Sequence, residues 1–206
     1  MSSQLDSSYS LPPAVRRVAS ALRMMGWGSF WAQAVLGIVS TVVLFFSSVF
    51  LTAQPVMTNL PNTPGGQAVR AADPGFGLGM VLTTCGLVAL YIGIFWAFRY
   101  TRLSRKLQAS DGRARPKRGD TIKIIRNGLI ISLTGMLFTL LGTFAIVGSL
   151  VGKSFQQGVS SVWGGLPANF IQGADIFTVQ GALIVLLAHF IALSSSLWLL
   201  RTMNRQ

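Results

Sequence analysis

Glutamate is absent from this chain of 206 residues, and the whole acidic complement is five aspartates against seventeen lysines and arginines. Only 11% of residues are charged, about half the share expected of a soluble domain, while 51% are hydrophobic. Such a chain is built for lipid. There is one cysteine, Cys85, which excludes an intramolecular disulfide and any CxxC redox or zinc pair and reads as a small buried hydrophobe. There is one histidine, and no aspartate falls inside a charge-free run, so the donor count does not support a closed metal site of three or four ligands. No GxxxxGK[ST], HExxH or GxSxG pattern occurs, and the GxGxG at Gly75–Gly79 follows no strand. The expectation is a protein that is not an enzyme, with no catalytic residue and no cofactor.

What the chain does have is four long apolar runs, each sufficient for the ~20 residues that cross a hydrocarbon core. No charge lies between Arg23 and Arg70, Asp73 and Arg99, Arg126 and Lys153, or Asp175 and Arg201. Helices are expected at about 27–51, 76–98, 128–151 and 176–200, with tails 1–26 and 201–206 and a basic loop 99–126. The Phe95–Lys106 stretch is expected to extend the second helix beyond the membrane, until Asp111-Gly112 and Pro116 break it. The first run exceeds a signal-peptide core and has no A-x-A site after it, so it reads as an anchor.

Positive charge is unevenly placed. Three basic residues precede the first run, ten lie in the central loop and two in the last tail, against only Arg70 and Lys153 on the other side. That asymmetry predicts an all-α polytopic protein, a four-transmembrane-helix bundle with both termini cytoplasmic. Trp27, Trp31, Trp96, Tyr100 and Trp198 fall near the basic boundary, as interfacial aromatics do, with Trp163 the exception. Cations confined to tails and one loop point to anionic lipid head groups rather than nucleic acid.

Small residues recur every seven positions: Gly79, Gly86 and Gly93; Gly128, Gly135 and Gly142; Gln33, Ser40 and Ser47; Gly181, Ala188 and Ser195. Seven residues make nearly two turns, so each series is a seam for close helix packing. A homo-oligomer or membrane-protein partners would give a four-helix chain room for a polar path. Asp73 before Pro74, and Asp175, suit helix N-termini, while Arg99, Lys153 and Arg201 suit C-termini. His189 lies 14 residues past Asp175 on nearly the same face, with Ser196 two turns further. A buried imidazole there serves either as a proton relay or ligand, or as an interhelical hydrogen bond.

Several segments resemble a plastid and cyanobacterial family of membrane proteins of unknown function, the DUF3611 type, whose plant members include the chloroplast inner-envelope permease in chloroplasts. The resemblance rests on Gly26-Trp27-Gly28-Ser29-Phe30-Trp31-Ala32-Gln33, on Phe95-Trp96 with Arg99-Tyr100-Thr101-Arg102-Leu103-Ser104, and on Gly135-Met136 and Leu141-Gly142. It also rests on Asp175-Ile176-Phe177-Thr178-Val179-Gln180, Leu186-Leu187-Ala188-His189-Phe190 and Ser196-Leu197-Trp198-Leu199-Leu200-Arg201. The resemblance implies four helices and one of two roles: permeation of iron or another metal ion, or a part in protein-import machinery. If a permeation path is shared, His189, Asp175, Gln180 and Gln33 are its matching polar positions; which residue would hold a metal is left open. Phe144 and Ile184-Val185 stand where relatives tend to be more polar. With no long Arg- and Ser-rich transit segment before the first run, a cyanobacterial plasma- or thylakoid-membrane protein is expected.

Overall fold

The computed structural model describes residues 13–53, 73–107, 118–162 and 171–204. They form four helices and, among the described residues, no strand: α1 Pro13–Ala53, α2 Pro74–Leu107, α3 Arg118–Val162 and α4 Gly173–Asn204. Each contains a stretch long and apolar enough to span a membrane: Arg23–Leu51, Pro74–Arg99, Gly119–Val159 and Gly173–Thr202. Asp111-Gly112, Pro116, Trp163 and the 54–72 connection lie outside the described residues.

The helices outrun the charge-free windows. At 1.5 Å per residue, the 45 residues of α3 extend about 67 Å, twice a hydrocarbon core of ~30 Å. Much of the expected 1–26 tail and 99–126 loop is therefore helix. Hydrogen bonding along a helix continues through charged residues once they leave lipid, so charge ends the membrane run but not the helix. Arg99 and Lys153 accordingly sit inside α2 and α3 rather than at their ends; Arg201 does lie in the last turn of α4. The spans of α3 and α4 run past the charge-free windows and take in Asp120, Lys123, Arg126 and Lys153 on α3 and Asp175 and Arg201 on α4.

The chain divides into two compact units, each drawing one segment from every helix. Unit 1 comprises Met1–Val35, Val88–Gly135 and Ala188–Gln206; unit 2 comprises Leu36–Leu87 and Met136–Leu187. In unit 1 the buried positions step by three or four residues: Gly26, Ser29 and Gln33 on α1; Leu90, Gly93, Ala97 and Thr101 on α2; Thr121, Ile125, Gly128, Ser132 and Gly135 on α3. Such a 3.5-residue period is the mark of left-handed helix packing. A small apolar cluster of Ile125 and Leu199, flanked by Met25, Ile122, Ile124 and Leu200, lies among these segments. Aromatic contacts of Phe30 with Phe98 and of Trp27 with Trp31, and the Arg99 guanidinium 4.7 Å over the Trp96 ring, belong to the same unit.

In unit 2 the backbones of α2 and α3 meet. A Cβ added to Gly79 would lie 2.8 Å from the Gly142 carbonyl oxygen, and one added to Gly142 would lie 2.8 Å from that of Gly79. Only glycine permits this approach. Gly181 similarly receives the Leu44 side chain, whose Cγ would be 2.8 Å from an added Cβ. Ser47 of α1 joins α4 by donating to the Ala174 carbonyl (2.7 Å) and sharing a short hydrogen bond with Thr178. Ser47→Ala is expected to cost about 0.5–1.5 kcal/mol, read as a lowered melting temperature in detergent, because it removes the hydrogen bonds that join α1 to α4 while Thr178 keeps its own bond to the Ala174 carbonyl.

Polarity is inverted relative to a soluble protein. Among the described residues fourteen buried side chains are polar or charged and ten are hydrophobic, whereas Phe45, Phe144 and Phe190 are each more than half exposed. Lipid is the medium that suits such an exterior. Cys85 is also exposed, on the outer face rather than in the interior expected of it, because it falls one position before the buried Gly86.

Candidate polar sites of the two units

In unit 1 the polar side chains come from all four helices. Gln33, 1% exposed, donates from Nε2 to Ser29 Oγ at 2.6 Å, one turn earlier on α1. Its Oε1 accepts no hydrogen bond and is directed toward Gly93 of α2. Ser132 of α3 and His189 and Ser196 of α4 are buried as well. The His189 ring packs against α3 where Gly135 leaves room: a Cβ there would be 2.6 Å from Nε2 and 2.8 Å from the Ala89 methyl. Gly135→Ala is expected to displace the imidazole and lower the melting temperature, at a cost of about 1–3 kcal/mol.

In unit 2 the charge is concentrated where α2 and α4 begin. Asp73 is the N-cap of α2: Oδ1 accepts from the N–H of Gly75 (3.1 Å) and Phe76 (3.2 Å), and Pro74 supplies the first helical residue. Asp175 acts three residues into α4 as the reaching half of a capping box, Oδ2 accepting the Gln172 N–H at 3.0 Å. Its other oxygen, Oδ1, lies 3.4 Å from Lys153 Nζ, in a pair exposed by only 6% and 0%. Lys153 Nζ also stands 4.9 Å from the centre of the Phe76 ring.

Burial pushes the Asp73 carboxyl up, but the Ser149 hydroxyl facing it, the Phe76 and Gly75 N–H groups and the Lys153 charge together hold it below its ordinary 3.8. A carboxyl depressed on folding stabilises the fold above its unfolded value, and that contribution is lost as pH falls through the folded one. Melting temperature is therefore expected to drop below about pH 4, with Asp73→Asn, which keeps a capping oxygen, flattening that acid limb.

Of the four polar positions the resemblance singles out, Gln33 and His189 lie buried in unit 1 and Asp175 is buried in unit 2. Gln180 joins neither group: it is exposed on the outer face of α4, between buried Thr178 and Gly181. The glycines Gly79, Gly86, Gly93, Gly128, Gly135 and Gly142 are all buried, as are Ser40 and Ser47; Ser195 is half-buried and Ser196 takes the interior place. Hydroxyls that sequence reading passed over complete the interior: Thr101, Thr121, Thr139 and Thr178 are buried. The seven-residue spacing marks three of them, Thr121 before Gly128, Thr139 after Ser132 and Thr178 before Val185, while Thr101 lies one turn past buried Ala97. Many of the hydroxyls are satisfied locally, as Ser40 on Gly37 and Thr178 on Ala174.

No three of His, Cys, Asp or Glu converge among the described residues. The donors on offer are hydroxyl, amide and imidazole groups together with the carboxylates of Asp73 and Asp175 in unit 2, the latter paired with Lys153.

A family of proteins of unknown function, DUF3611, matches residues 12–204. Protein TIC 21, chloroplastic, of Arabidopsis thaliana is 30% identical over 194 residues, which cover 92% of this chain and 59% of the plant protein. The chain thus spans less than two thirds of that relative's length, and no solved structure matches it. Polar seams turned inward on four apolar helices, and a match running through all four of them, make this chain a multi-pass integral membrane protein that belongs to the DUF3611 family.

Proposed function

We propose that the chain is a small permease-like membrane protein that passes a polar solute, with iron or another metal ion the substrate suggested by the family resemblance. The observation that carries this reading is the inward turn of polarity: Gln33, Ser132 and His189 in unit 1, and Ser40, Thr83 and Thr139 in unit 2, are buried while the outer faces are apolar. An ionisable residue within a membrane is expensive and is by default a functional-site hypothesis, and buried His189 is such a residue in unit 1. Among the described residues no three metal donors converge, so on this reading an ion would be handled with its water or a small ligand retained, on hydroxyl and amide oxygens. Uptake into proteoliposomes is the test. Wild-type protein should take up ferrous or manganous ion above empty vesicles, with His189→Ala and Asp175→Asn reduced at least severalfold; uptake no greater than that of empty vesicles would overturn a stand-alone permease.

A second reading, a structural or translocation-associated subunit, is favoured by the outer face of α3. Gly148 and Gly152 are exposed, four residues apart, with nothing within 4 Å of where a Cβ would stand, a spacing on which another membrane helix packs closely. Co-purification with other membrane proteins in mild detergent would support it, and isolation only as a homo-oligomer would count against it.

The same reading places both tails and the basic connection in the cytoplasm of a cyanobacterial plasma or thylakoid membrane, from the fifteen-to-two basic asymmetry. Exposed Arg23, Arg99, Arg102, Lys123, Arg126 and Arg201, all in unit 1, would meet anionic head groups there.

A further inference from the structure

The buried glycines differ in what surrounds them. At Gly79, Gly135, Gly142 and Gly181 an added Cβ would meet at least one atom closer than 3.0 Å, so those sites are filled by the neighbouring helix. Gly93 is unlike them. Its Cβ position is bounded by two oxygens at ordinary contact distance, Gln33 Oε1 at 3.4 Å and Ser132 Oγ at 3.8 Å. Gln33 and Ser132 are 1% and 3% exposed, and the Gln33 oxygen accepts no hydrogen bond from the protein. A buried amide oxygen left in that condition loses its hydration without replacement, which polar groups in lipid-embedded interiors rarely do.

The geometry points to a binding site for one water molecule beside Gly93, donating to Gln33 Oε1 and shared with Ser132 Oγ. The chemistry selects water over other small ligands. A cation would lack any carboxylate among the two partners, and an apolar ligand would leave the amide unsatisfied. Water also suits either orientation of the Gln33 amide, since it both donates and accepts, while Ser29 can accept from Nε2 or donate to Oε1. Two polar partners meet the minimum for a buried water, and apart from those two oxygens nothing outside the helix lies within 4 Å of the Gly93 Cβ position, beyond which the water would sit. The site puts a hydrated acceptor inside unit 1 and does not depend on what the protein transports.

Gly93→Ala separates this assignment from simple packing because the two give opposite signs. A methyl group at 3.4–3.8 Å from its neighbours is sterically tolerated, and in a helix Gly→Ala alone is stabilising. With water bound, the methyl displaces it and strands the amide, so the melting temperature in detergent should fall by about 2–6 °C. Gly93→Ser, whose hydroxyl takes the water's place, should recover most of the loss. The second readout is the Gln33 carbonyl stretch, isolated by side-chain 13C labelling of glutamine and difference against Gln33→Met. It should lie at a hydrogen-bonded frequency in the unaltered protein, shift on H2O/D2O exchange and rise in Gly93→Ala. A melting temperature raised or unchanged by Gly93→Ala, or a Gln33 band at the free-carbonyl frequency in the unaltered protein, overturns the assignment.

Discussion

Lys153→Met is expected to destabilise the protein by about 3–5 kcal/mol, the usual cost of removing one partner from a buried ion pair. Asp175 is fully buried and Lys153 nearly so, and their 3.4 Å contact joins α3 to the first turn of α4. Taking the ammonium away leaves a buried carboxylate in unit 2 without its cation, the Gln172 N–H being among the contacts that remain. The methionine side chain preserves the stem that lies beside Phe76, so the loss reports charge more than packing. The double variant Lys153→Met, Asp175→Leu should recover most of the stability, because the desolvation of both ions disappears together. Some deficit remains, since Asp175 also caps α4. Thermal unfolding of the four proteins in one detergent closes the cycle, and a double variant no better than the sum of the singles would show that the pair contributes nothing as a pair.

The second large effect belongs to Gly142. Gly142→Ala places a methyl group 2.6 Å from Thr83 Oγ1 and 2.8 Å from both the Thr83 nitrogen and the Gly79 carbonyl oxygen. Two of those three atoms are backbone, which cannot swing aside as a side-chain end can, so the helices must separate. A cost of about 1–3 kcal/mol follows for alanine, and a greater one for leucine. The control lies two turns away on the same helix. Gly148 has nothing within 4 Å of its Cβ position, so Gly148→Ala should be neutral or stabilising by about 0.5–1 kcal/mol through helix propensity alone. Equal losses at the two positions would mean that the Gly79–Gly142 approach is not what glycine is there for.

Four spans were legible from charge-free length, and the interior faces from small residues every seven positions. In lipid the usual apolar-inside contrast is missing, so the spacing of glycine, serine and threonine carried what hydropathy could not. The Asp73 cap was readable from Asp-Pro at a span's start. Lys153 was not readable as an interior residue, because a cation after an apolar run looks like a helix end, and only the continuation of α3 to Val162 places it inside. A signal existed: Ser132, Thr139, Ile146 and Lys153 follow one another at seven-residue intervals, and all four are buried. Asp175, Ala182, His189 and Ser196 form the matching series on α4, also buried. Gln180 fell outside both because each residue turns a helix by ~100°, so a position two beyond Thr178 faces away from the interior that Thr178 shares.

The claim that the buried polar faces line a solute path is tested most directly by single cysteines along α1 in a Cys85→Ser background, challenged in membranes with a small membrane-impermeant thiol reagent. The account predicts modification at positions 29, 33, 40 and 47, the buried polar face, and protection at positions 31, 38 and 45, which face lipid. Protection of all four interior positions under conditions of solute turnover, or modification of the outer set instead, would contradict it.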